Sequence, residues 1–138
     1  MRVPGRLRIK WEGDDTLRID TDAGQQTRLL KFGPPVKAGE PSWQGSSTAR
    51  WQLPAGRGRG PVTTGQLVVT TNRLRPGYLR KNGVPYSEDA AITEYFHRLP
   101  ETANGDVWLH VLTIVEDPRY LNDRFLTSTH FKREPNGN

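Results

Sequence analysis

Apolar and polar residues alternate with a period of two in a series of short runs, and turn residues separate the runs. Residues 6 to 12, Arg-Leu-Arg-Ile-Lys-Trp-Glu, put Leu7, Ile9 and Trp11 on one face and charges on the other, the pattern of a half-buried strand. Gly13-Asp14-Asp15 provides a turn, and the alternation resumes over Thr16 to Thr21, so a hairpin is predicted. Asp22-Ala23-Gly24 turns again into a third strand, Gln26 to Phe32, with Leu30 and Phe32 inward and Arg28 the oddity among them.

Residues 33 to 46 hold Gly33-Pro34-Pro35, Gly39, Pro41 and Gly45, which predicts a long loop anchored by Trp43, of the kind that covers a cavity mouth. A fourth strand follows over Ser47 to Leu53, with Ala49, Trp51 and Leu53 on one side. The Arg-Gly tract from Pro54 to Pro61 breaks regular structure and reads as a hairpin tip. Gln66 to Leu74 is a fifth strand, and Asn82-Gly83 closes a short hairpin whose arms carry Tyr78, Arg80 and Tyr86. A sixth strand is predicted over residues 91 to 98, with Asn104-Gly105 turning it into the next run. That run, Val107 to Val115, is apolar at nearly every position, so it is predicted to be a central strand covered on both faces. It pairs with Phe125 to Lys132 across a connection containing Asp117-Pro118.

Eight principal strands joined by turns in a chain of 138 residues predict an all-β fold. The economical form is an eight-stranded antiparallel up-and-down barrel, because closure removes exposed sheet edges. A two-sheet sandwich or jelly roll is the alternative. Residues 1 to 133 read as one domain and residues 134 to 138 as a disordered tail.

Composition narrows the chemistry. There is no cysteine, so disulfides, thiolate metal sites and cysteine nucleophiles are excluded. Twenty Lys and Arg against fifteen Asp and Glu give a net charge of +5, but the basic residues are scattered, and nucleic acid carries little weight as a partner. No window reaches the length of a spanning apolar helix and the first residues lack a signal-peptide core, so a soluble chain with no membrane role is expected. Phosphate-binding loops, nucleophile elbows and zincin helices are missing from the sequence.

Several segments together resemble an uncharacterised bacterial family. They are Met-Arg-Val-Pro-Gly-Arg-Leu at 1 to 7, Asp-Thr-Asp-Ala-Gly at 20 to 24, Arg-Pro-Gly-Tyr-Leu-Arg-Lys-Asn-Gly-Val-Pro-Tyr-Ser at 75 to 87, Thr-Glu-Tyr-Phe at 93 to 96, Thr-Ile-Val-Glu-Asp-Pro at 113 to 118, and Thr-Ser-Thr-His-Phe-Lys at 127 to 132. The resemblance implies that this chain corresponds to the C-terminal part of longer, often exported proteins, and it implies no activity. The strand pattern is also similar to lipocalin-like, calycin-type barrels, an analogy of fold only.

An eight-stranded barrel encloses side chains or one small ligand, and the expectation is a cavity binding a small apolar or aromatic molecule. Phe96, Leu109, Val111 and Phe125 are the candidate walls, with Tyr78, Arg80 and Tyr86 at the mouth. Glu94 shares a strand face with Ile92 and Phe96, where desolvation would raise its pKa and suit it to proton transfer; the plainer reading is a rim carboxylate paired with an arginine. The alternative function is therefore a cofactor-independent lyase or isomerase with Glu94 as general acid or base, and enzyme or binder stays open at this point. No cofactor is expected, and a homodimer is the one assembly considered. A hairpin centred near residue 120 sets His110 opposite His130, within reach of one metal ion, yet no acidic ligand reinforces the pair and no metal is assigned.

Overall fold

The computed structural model describes residues 5–22, 24–34, 40–54, 65–79 and 83–135, and these contain strands, turns and no helix. The strands are β1 (Leu7–Trp11), β2 (Thr16–Thr21), β3 (Gln26–Phe32), β4 (Ser46–Gln52), β5 (Gln66–Asn72), β6 (Gly77–Tyr78), β7 (Pro85–Tyr86), β8 (Ala91–Arg98), β9 (Trp108–Glu116) and β10 (Phe125–Lys132). Eight of them form one strongly curled sheet in the order β1-β2-β3-β4-β5-β8-β9-β10, and β6 and β7 make a separate hairpin. The Arg-Gly tract from Ala55 to Pro61, Arg80 and the last residues, Asn136 to Asn138, lie outside the described residues.

The expected antiparallel barrel is corrected in two respects. First, β3 and β4 run parallel, with Leu30 opposite Ser47 and Phe32 opposite Ala49. A parallel neighbour needs a crossover of about a dozen residues, and the long loop before β4 supplies that length where a hairpin turn would have reversed the chain. Second, β1 and β10 are the two ends of the sheet and do not pair with each other, so the sheet is a half-barrel with an open seam. The seam explains why β1 is not half-buried as its alternation predicts: Ile9 remains 41% and Trp11 53% exposed.

Gly45 lets the crossover enter β4. Its φ is +67°, and a Cβ there would run into the carbonyl oxygen of Asn72, so no side chain fits. Ahead of it the segment is tied to the end of β5, where Ser42 N–H donates to the Arg73 carbonyl at 3.0 Å and Arg75 N–H to the Ser42 carbonyl at 2.9 Å.

Two apolar clusters fill the concave side. Leu17, Ile19, Leu30, Val69, Phe96 and Val111 anchor the larger one. The smaller is built on Leu74, Ala90, Ile92 and Val115, with Tyr86 and Phe125 packed against it. The β6–β7 excursion is held to the sheet by Asp117, which is 3% exposed and accepts from Ser87 N–H at 2.5 Å and Ser87 Oγ at 2.8 Å. Burial pushes this carboxyl up, but the hydrogen bonds from Ser87, Arg119 and Tyr120 outweigh it, and its pKa lies below the ordinary aspartate value.

Candidate functional site

Side chains of one face of a strand point the same way, so the register fixes what the hollow contains. On β8 the inward residues are Ile92, Glu94 and Phe96; opposite Glu94 stands Thr113 of β9, and opposite Thr113 stands Thr127 of β10. Each strand thus presents apolar, polar and apolar side chains in succession. Val115, Thr113 and Val111 do so on β9, and Phe125, Thr127 and, past Thr129, Phe131 on β10. A polar belt therefore crosses the concave side between the two apolar clusters.

Arg28 on β3 completes the belt. Its Nη1 donates to Glu94 Oε1 at 3.0 Å and its Nη2 to Glu94 Oε2 at 2.5 Å, a bidentate pair. Nη2 also reaches Thr71 Oγ1 at 3.4 Å, and the Thr71 hydroxyl is 2.8 Å from Ser47 Oγ. The Arg28 and Glu94 side chains are 17% and 6% exposed, so the pair is largely removed from water. Burial pulls the guanidinium pKa down, but the hydrogen bonds and charge of Glu94 prevail and hold it above the usual arginine value.

A cavity of about 360 Å³ lies over this belt. Leu7, Ile19, Phe96, Val111 and Phe131 line one end, and Leu74, Leu79, Ile92, Val115 and Phe125 the other, with Arg28, Glu94, Thr71, Thr113 and Thr127 between them. Trp43 and Gln44 reach the cavity from the crossover, as a loop over a mouth would. The Arg75 guanidinium sits 5.9 Å from the Trp43 ring centre, within cation–π range.

Of the residues singled out from the sequence, Glu94, Phe96, Val111 and Phe125 come together on the cavity wall. Leu109 packs behind them on the larger cluster and borders the open seam. Tyr86 packs on the smaller cluster, and burial raises its phenol pKa, which keeps it a neutral hydroxyl. Tyr78 is 67% exposed on the outer arm of the hairpin. Glu94 is not the rim carboxylate of the plainer reading, since it is interior, but it does have the arginine partner that reading supposed. That partner is Arg28, which stood out in the sequence only as an oddity and not as a site residue; a charge on the strand face that carries Leu30 and Phe32 was its signal.

The histidine register follows the sequence expectation: His130 stands opposite His110, and His110 opposite His97. The His110 and His130 rings stack at 4.5 Å with 14° between planes, on the convex side away from the cavity. Among the described residues no group of three histidine, aspartate or glutamate side chains is placed to hold a metal ion. No family model, curated protein or solved structure matches this chain.

Proposed function

We propose that the protein binds a small apolar or aromatic molecule in the hollow of its half-barrel. The observation that carries this reading is the cavity of about 360 Å³, at the lower end of the size range of small-molecule sites, walled by apolar side chains around a few fixed polar groups. A buried arginine–glutamate pair adds little net stability over apolar residues of similar volume, so its presence in the wall is better explained by recognition than by folding. Titration with Nile red, a neutral dye that fluoresces in apolar surroundings, tests the proposal. Saturable uptake that weakens in Phe96→Trp or Val111→Trp, which narrow the cavity, supports it. Absence of uptake by the folded protein rejects it.

The lyase or isomerase reading rests on Glu94 facing the same hollow. Both Glu94 oxygens already accept from Arg28, which favours a positioning role over proton transfer.

A further inference from the structure

Building on the binding proposal, we infer that the occupant is an uncharged molecule with two apolar arms joined by a carbonyl linkage, as in an amide or ester. Three features of the cavity lead there. Arg28, Glu94, Thr71, Thr113 and Thr127 form a polar belt at mid-length, between the larger apolar cluster and the smaller, while Thr21 and Gln26 line the Leu7 end. A molecule whose polar group is terminal would leave the belt, which holds the charged pair, unmatched.

The second feature is the supply of unengaged hydrogen-bonding groups. A guanidinium carries five N–H hydrogens. Three of those on Arg28 are engaged, by Glu94 twice and Thr71 once. The Nε hydrogen and the second hydrogen on Nη1 have no hydrogen-bond partner among the described residues, and no nitrogen of Arg28 is both sealed from solvent and unpaired. Thr113 and Thr127 line the same belt, and among the described residues their hydroxyls make no hydrogen bond. The belt can donate to a carbonyl oxygen and accept from an amide N–H.

Charge is the third feature. The positive Arg28 is already neutralised by Glu94 on the same cavity wall. A carboxylate docked on either remaining guanidinium hydrogen would lie within a few ångströms of the Glu94 oxygens, where two negative charges out of water repel strongly. A neutral carbonyl takes one of these hydrogens without that opposition. A plain hydrocarbon would desolvate them and return nothing.

Displacement of Nile red from the full chain by two competitors of matched length tests the assignment. N-pentylhexanamide carries its carbonyl at mid-chain, and dodecanoate carries a terminal carboxylate. The amide is expected to displace the dye at a concentration at least about tenfold lower, the equivalent of one hydrogen bond made and one repulsion avoided. In Glu94→Gln, which leaves Arg28 positive, the preference should move toward dodecanoate by about tenfold. The double variant Arg28→Met, Glu94→Leu provides a second reading, since with the belt removed the two competitors should differ by less than about threefold. If dodecanoate displaces the dye as well as the amide does from the unaltered protein, the linkage assignment is overturned while cavity binding stands. If the folded protein takes up no dye, the cavity reading and this inference fall together.

Discussion

Glu94 and Arg28 can be removed separately or together, and the difference measures what each does for the other. Removing one partner of a buried ion pair strands a charge out of water and typically costs about 3–5 kcal/mol. Glu94 is the more enclosed of the two, 6% exposed against 17% for Arg28. Arg28→Met, which strands the carboxylate, should therefore be the more damaging, at about 4 kcal/mol, and Glu94→Leu should cost about 3 kcal/mol. Exchanging both for apolar residues leaves no stranded charge, and the double variant should lie within about 1–2 kcal/mol of the unaltered protein. The two single losses sum to about 7 kcal/mol, so the non-additivity is about 5 kcal/mol or more and marks direct coupling. Urea unfolding followed by tryptophan fluorescence reads all four proteins on one scale, with midpoint shifts interpreted only where the slope is unchanged. Single variants that each lose less than about 1 kcal/mol, with a double variant equal to their sum, would refute the claim that these side chains form a desolvated pair.

Asp117→Asn replaces an acceptor carboxylate by an amide that cannot receive the Ser87 bonds at both positions, and should cost about 1–3 kcal/mol in the same assay. Because the native Asp117 pKa lies below its ordinary value, its contribution is complete above about pH 4 and disappears as pH falls through the native value; Asp117→Asn should flatten that acid slope, and an unchanged slope would remove Asp117 as its source. Gly45→Ala forces a Cβ against the Asn72 carbonyl at a positive φ and should lose at least about 2 kcal/mol, whereas a neutral result would mean the crossover enters β4 by another path. Amide exchange should be fastest in β1 and β10, each paired on one side only, and slowest in β5, β8 and β9; equal protection in β1 and β5 would argue for a closed seam.

Alternation carried most of the fold. The bounds of β2 and β8 fall where the period predicts, because both strands have one buried and one open face and so keep a clear hydrophobic alternation. The apolar run of β9 signalled a central strand covered on both faces; β9 does lie between β8 and β10, but its outward residues, among them Leu112 and Ile114, stay half-buried, so the coverage is corrected to the concave face alone. The histidine register followed from the length of the connection after it. What alternation cannot express is which strand lies beside which. Nothing local distinguishes a loop that reverses the chain from one that carries it back to start a parallel neighbour, so the β3–β4 step was invisible, as was the failure of β1 to meet β10. The site was half legible. Glu94 showed as a carboxylate between Ile92 and Phe96, and Arg28 as a misfit on the Leu30 face, but pairing them needs strands 66 residues apart in sequence to curl together. Thr113 was hidden inside a run that read as uniformly apolar.

Both departures from a closed antiparallel barrel bear on how a molecule could enter. In a closed barrel of this strand number, side chains can fill the interior, and access is through the ends. Here the crossover that makes β4 parallel also carries Trp43 and Gln44 to the cavity wall, where Arg75 backs the indole. The seam opens a second, wider depression of about 1210 Å³, bordered by Leu7, Arg8 and Ile9 on one side and His130, Phe131 and Lys132 on the other. Leu7 and Phe131 line both spaces, so the depression leads to the end of the cavity formed by the larger apolar cluster. Replacing Leu7 by Trp should then slow Nile red uptake in stopped-flow measurements without lowering the equilibrium amplitude by the same factor, because it narrows the route while leaving the belt intact. Equal losses in rate and amplitude would place Leu7 in the binding wall alone and move the entrance to the Trp43 side.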